Sequence, residues 1–303
     1  MLCETGNSIR EGSITVGSED FKRRNYVSEW KYDGTRLFID KKKEDVTLQN
    51  RNGIDYTRRL PDVVAAVKKV PGTFTLDGEV VYINPVTGKV EFTPCQRRCA
   101  TTDWAKVMYL QQQFPVTVMN FDILELDGED LEKEPLRERK PRLNSLLSRG
   151  ADHGVLQFVE YSWDKEDSWK VVLDQGEEGL ILKDINSRYE HERSWKWLKI
   201  KNWRYVVCDV VGYTPGKNVR SGFFGSLVLA KDGKFIGCAG SGPNDWELRQ
   251  LKDIFAGSPK TARPFIIGEY YTAVKTNLKV QTKYYKITEN GVMRFPIFEE
   301  IVT

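Results

Sequence analysis

Short apolar runs rich in β-branched and aromatic residues, each closed by turn residues, outnumber stretches with helical spacing in this chain. Strands are predicted at TFTLDGEVVYI (73–83), FPVTVMNFDILEL (114–126), EGLILKD (178–184), RYVVCDVVGYT (204–214), GSLVLA (225–230), KFIGCAG (234–240) and PFIIGEYYTAV (264–274). Helical signals are fewer. Residues 60–70 and 135–149 carry a proline near the start and spaced apolar positions, the second ending at Gly150. At 244–256, Asn244 and Glu247 have the spacing of a capping box, with Trp246, Leu251, Ile254 and Phe255 predicted on one face. Strands with few, irregularly placed helices predict an α+β fold rather than a doubly wound α/β one.

The last hundred residues read as almost all β with one helix in the middle, the way a five-stranded OB-type barrel interrupts its strands. The boundary falls at 202–206, between WLKIKN and the next strand, giving two domains, 1–202 and 203–303.

With 40% hydrophobic residues the chain can bury a real core, yet no apolar run approaches the length needed to cross a membrane. The start, MLCETGNSIREGS, lacks the basic and then apolar stretches of a secretory signal. Five scattered cysteines form no disulfide framework, and Cys95 and Cys99 have no second Cys or His pair to complete a zinc site. A reduced, intracellular protein is expected. With only His153 and His191 available, chemistry is expected to rest on lysines and carboxylates. Net charge is +3, unevenly spread: from Trp203 onward 14 Lys and Arg face 9 Asp and Glu, against 32 and 34 before it. A basic C-terminal third suits a polyanion.

The segment EWKYDGTR (29–36) sets a lysine before an Asp-Gly turn. Alone, it reads first as a surface hairpin with a solvated lysine. It is followed in order by QNRNG (49–53), LDGEV (76–80), NFDILELDG (120–128), EEGLILKD (177–184), RSWKWLKIK (193–201) and MRFPIF (293–298). This ordered set resembles the nucleotidyltransferase motifs of ATP-dependent DNA ligases over nearly the whole chain. The stretches FDILELDGEDLEKEPLRERK and GYTPGKNVRSGFFGSLVLA resemble the ligase module of prokaryotic end-joining ligases.

The resemblance implies a nucleotidyltransferase (ATP-grasp-like adenylation) domain followed by an OB-fold domain. It implies that Lys31 attacks the α-phosphate of ATP, the AMP donor, through a phosphoramidate that divides one hard step into easier ones. The attacking form is the neutral amine, which desolvation and neighbouring cations or a metal favour. Glu29 is expected to read the adenine amino group and Phe121 to stack on the ring. Arg36 and Arg51 are expected to hold ribose and phosphate oxygens. Glu79 and Glu178 are the expected ligands of Mg2+ or Mn2+, Glu79 also touching ribose. Lys199 and Lys201 alternate along a strand and so share a face. With Arg193 they form a cationic strip suited to a triphosphate, Lys183 being a weaker member. Asp77 is expected to hold backbone, and Arg294 to orient the pyrophosphate leaving group.

About 28 residues precede EWKYDG, so the helical DNA-encircling domain of larger relatives is expected to be absent, and the RFPIFEEIVT ending lacks an RxDK-type motif. A monomer acting on nicked duplex DNA is expected. An RNA ligase, an mRNA capping guanylyltransferase and a non-catalytic OB-type nucleic-acid binder are the competing readings.

Overall fold

Two sheets carry the first part of the chain. In the computed structural model, residues 2–5, 19–150, 154–288 and 290–302 are described; His153 lies outside them. After a short strand, Leu2–Thr5, come β1 (Tyr26–Trp30), β2 (Thr35–Lys42) and β3 (Asp45–Asn50). Next are α1 (Pro61–Lys69) and β4 (Phe74–Val81), then α2 (Phe92–Ala100) and α3 (Trp104–Gln113). Then follow β5 (Thr117–Leu126), α4 (Leu136–Ser148) and α5 (Lys165–Gln175). The unit ends with β6 (Gly179–Asp184) and β7 (Arg193–Lys201).

Helices α1 and α4 match the sequence reading; α2, α3 and α5 were not predicted. In α2 the inward positions are Cys95, Arg98 and Cys99. An arginine in the core breaks the apolar stripe, and it is tolerated because Arg98 pairs with Asp62 at 2.6 Å. Helices α3 and α5 are each started by an aspartate that accepts from a backbone N–H, Asp103 from Lys106 and Asp164 from Asp167.

One sheet runs Leu2–Thr5, β7, β6, β1 and Tyr161–Ser162; the other runs β3, β2, β4, β5 and Glu129–Asp130, with Leu156–Phe158 parallel to β5. Leu37, Ile39, Leu48, Leu76 and Val118 on one face of the second sheet pack against Val63 and Val67 of α1 and Leu143 and Leu147 of α4. That core fixes the second sheet, whose other side faces a cavity shared with the first.

The chain divides into two compact units, Met1–Lys201 and Asn202–Thr303. The second holds β8 (Arg204–Pro215), β9 (Phe224–Lys231), β10 (Lys234–Ala239), α6 (Asp245–Gly257), β11 (Lys279–Tyr284) and β12 (Ile297–Val302). Its strand order is β10-β9-β8-β11-β12, and among the described residues this path is not closed into a barrel. A bridge, Ser241 with Ile297, links the chain beyond β10 to β12.

The capping box at Asn244 and Glu247 forms as read, but Trp246 points to solvent, and Leu248, Leu251 and Phe255 are the buried face of α6. The run 264–274 is not a strand either. Thr272–Ala273 pairs with β8 and Val274 bridges to Lys260, while the Tyr271 hydroxyl donates to the Phe265 carbonyl and accepts from its N–H, folding the segment back and leaving Ile266 exposed. Pro264 and Gly268 suit such a turn. No helix among the described residues is long and apolar enough to cross a membrane.

Candidate active site

Between the two sheets of the first unit lies a cavity of about 550 Å³. Strand register decides what faces it. Glu29 of β1 pairs with Ile181 of β6, which pairs with Lys199 of β7, while Lys183 pairs with Trp197. Side chains two apart on a strand share a face, so Glu29, Lys31, Lys183 and Lys199 all come to the cavity wall. From the second sheet Arg36 and Glu79, directly paired across β2 and β4, complete the wall with Phe121.

Phe121 reaches the cavity through an irregularity. The β4–β5 register slips so that Asp77 faces Asp122 and Gly78 faces Asn120, leaving Phe121 as the extra residue. Such a bulge re-aims one side chain. Two glycines have local reasons. A Cβ on Gly34 would lie 2.0 Å from the Val80 carbonyl oxygen, so the KYDG turn can approach β4 only with glycine there. Gly179, at φ +146°, would put a Cβ 1.9 Å from the Ile200 carbonyl oxygen.

The Lys31 N–H donates to the Gly179 carbonyl at 2.9 Å, and Lys31 Nζ lies 2.6 Å from Glu178 Oε1. Glu178 and Lys201 stand outside the cavity lining, beside Lys31. Burial pushes the Glu178 carboxyl up against the pull of Lys31, and burial likewise lowers the Lys201 ammonium. Glu79 is pushed up to about 8, chiefly by burial, with Lys31 opposing and Glu178 adding repulsion.

Arg51 is exposed at the cavity rim, in a turn that Asn50 organises by accepting from the Asn52 and Ile54 N–H groups. Arg193, at the start of β7, is likewise exposed and lines the cavity. Arg36 lines it too, with its guanidinium held by Asp77 through Nε at 2.9 Å and Nη2 at 2.5 Å. Asp77 is fully buried and also accepts from Tyr189 at 2.8 Å, so it holds a guanidinium and a phenol rather than the backbone expected of it.

Glu29 is buried between two ammonium groups, Lys140 at 2.9 Å and Lys183 at 2.7 Å. Lys183 is sandwiched between the Phe121 and Trp197 rings, at 4.4 and 3.9 Å from their centroids. Sequence reasoning missed Lys140, Tyr189 and the buried pair of Arg139 with Asp122 at 2.8 Å. A signal existed for two of them. The buried positions of α4 are 136, 139, 140, 143, 146 and 147, a helical stripe in which Arg139 and Lys140 occupy apolar slots.

The family model for the ATP dependent DNA ligase domain matches residues 1–201. A DNA ligase of Pyrobaculum calidifontis is 32% identical over 246 residues, covering 75% of this chain and 42% of its own length. The chain therefore spans less than half of that relative. The ligase domain of M. tuberculosis LigD superposes with a TM-score of 0.54 at 26% identity, over 91% of this chain and 89% of that one. A Lig E DNA ligase structure shares the fold, with a TM-score of 0.65 at 21% identity over 92% and 93% of the two chains. On the family match and the geometry together, this chain belongs to the ATP-dependent DNA ligase family.

Proposed function

We propose that the protein seals nicks in duplex DNA, taking AMP from ATP onto Lys31 and passing it to a DNA 5′-phosphate. The single observation that carries the reading is the Lys31–Glu178 pair beside a cavity whose other wall presents Glu79 and Arg36. In the first step the neutral Lys31 amine forms a bond to the α-phosphorus, and the bond to the pyrophosphate oxygen breaks. In the second, a DNA 5′-phosphate oxygen displaces Lys31 and takes the AMP. In the third, the 3′-hydroxyl attacks that phosphate and AMP leaves.

Phe121 supplies a ring face for the base, and Glu29 and Lys183 present their polar atoms to its edge. Arg36, Arg51, Arg193, Lys199 and Lys201 offset the charge of the phosphates, the guanidinium groups with a planar fork that suits them. The donor set fits a hard divalent cation: Glu178 is close enough to Glu79 to raise its proton affinity, and Glu178 Oε2 is buried with no hydrogen-bond partner. Mg2+ or Mn2+ there supplies charge neutralisation at the phosphoryl oxygens. No group of three or more such ligands exists among the described residues, consistent with a cation shared with substrate phosphates.

We assign residues 1–202 to the adenylating domain and 203–303 to an OB-type module. The β10-β9-β8-β11-β12 path, with a helix inserted after β10 and the Ser241–Ile297 bridge between its ends, supports that assignment. The module's positive balance suits binding to backbone phosphates, which position a protein without reading sequence. The protein acts as an intracellular monomer. Arg294 lies half-buried on a short strand of that module.

The test offers ATP with nicked DNA, with nicked DNA lacking the 5′-phosphate, and with an all-RNA nick. Sealing of the first alone is expected; preferential sealing of the RNA nick would favour an RNA ligase instead.

A further inference from the structure

Glu29 has one negative charge and two ammonium partners. One of them, Lys183, lines the cavity; the other, Lys140, does not. Lys140 reaches Glu29 from α4, behind the wall, and is about 1% exposed. It donates to the Val159 carbonyl at 2.7 Å and lies 4.3 Å from the Phe158 ring centroid and 5.5 Å from that of Tyr161. Burying a second ammonium is costly, and one cation already neutralises the carboxylate. Burial lowers the Lys140 ammonium, Glu29 opposes that, and Lys183 adds repulsion. Its position calls for a role beyond neutralisation.

The arrangement of hydrogen-bonding capacity supplies one. Lys140 engages Glu29 Oε1 at 2.9 Å and Lys183 engages Oε2 at 2.7 Å, so each carboxylate oxygen carries its own ammonium. On the cavity side this sets Oε2, an acceptor with a second lone pair, beside the Lys183 ammonium, next to the Phe121 and Trp197 rings. A 6-aminopurine presents the matching edge, an amino donor beside a ring-nitrogen acceptor. A 6-oxopurine presents the reverse, an oxygen toward the carboxylate and an N–H toward the ammonium. Without Lys140, Oε1 would have no counter-ion, and the carboxylate could turn both oxygens to Lys183 and lose its register with the base.

We propose that Lys140 is a positioning residue for base selection: by holding Glu29 from behind, it leaves Glu29 and Lys183 side by side to read the 6-amino edge. This rests on the reading of the cavity as the ATP site. Lys140 acts through Glu29 and does not touch the nucleotide.

The experiment uses the full chain and measures covalent labelling from α-labelled ATP and from α-labelled GTP, with a thermal melt of every variant. Lys140→Met should raise KM for ATP far more than it lowers kcat, and should cut the ATP-to-GTP preference in kcat/KM by about tenfold or more. Lys140→Gln, which keeps a donor for the Val159 carbonyl, is the second variant should the first not fold. In a Glu29→Gln background the same Lys140 change should alter the preference no further. A folded Lys140 variant with wild-type preference would overturn the inference, as would a further fall in the double variant. Loss of a cooperative melt in both single variants would assign Lys140 a structural role and overturn it too. Failure of the wild type to take label from ATP at all would instead overturn the underlying reading of the cavity.

Discussion

Lys31 Nζ and Glu178 Oε1 are 2.6 Å apart, joined across neighbouring strands whose backbones are themselves tied by the Lys31 N–H to the Gly179 carbonyl. The pair keeps the proposed nucleophile and one candidate metal ligand in a single place. It also sets a condition on the chemistry, because an ammonium clasped by a carboxylate is not a nucleophile. Lys31 must lose its proton, and Glu178 its hold on the ammonium, before the amine can attack.

Glu178→Ala should therefore slow adenylation on the order of 10²-fold at ordinary magnesium, the scale of removing one charge-stabilising group. Raising magnesium should recover part of the loss. A magnesium titration that superposes on the wild type would move Glu178 out of the metal site.

Glu79 makes a pH-dependent contribution to stability. Its folded-state value, about 8, lies above the ordinary 4.5, so the ligand-free folded protein holds a proton that the unfolded chain has released. Stability from this group is present at low pH and is lost as pH rises from about 5 through 8. Melting temperature without metal or nucleotide should fall over that window, and Glu79→Gln should flatten the fall by several degrees. Equal slopes in the two proteins would contradict the assignment.

The Arg36–Asp77 pair is a buried contact with one partner at the cavity. Asp77→Ala should cost roughly 3 kcal/mol, because it leaves a guanidinium largely buried without its carboxylate. The double change Arg36→Ala with Asp77→Ala should regain part of that stability but none of the labelling, since Arg36 faces the cavity. Denaturant melts and label yield on the same samples separate the two effects; a double variant less stable than the additive sum would show the pair is not the cause.

Much of the site was legible because turn glycines and strand alternation are local. The Asp-Gly turn after Lys31, the Glu-Gly step at 178–179 and the period-two spacing of Lys199 and Lys201 each carried a geometric requirement in a few residues. What was not legible is tertiary compensation. In RERK (137–140) helical spacing puts Arg139 and Lys140 in apolar slots of α4, but the partners that let them sit there, Asp122 and Glu29, are distant in sequence and come together only when α4 packs on β5. Asp77 was misassigned for the same reason, its partners lying 41 and 112 residues away. Helices α2, α3 and α5 escaped because their inward faces are short or interrupted by charge. The run 264–274 failed the other way: its strand-like composition is overridden by the Tyr271–Phe265 contact.

The central claim is that Lys31 carries the transferred AMP, and incubation with α-labelled ATP and magnesium followed by peptide mass mapping tests it most directly. The expected result is one acid-labile adenylate on the peptide containing Lys31, absent from both Lys31→Ala and Lys31→Arg, since a guanidinium stays protonated and cannot attack. An adenylate on another residue, or undiminished labelling of the Lys31→Ala protein, would contradict it.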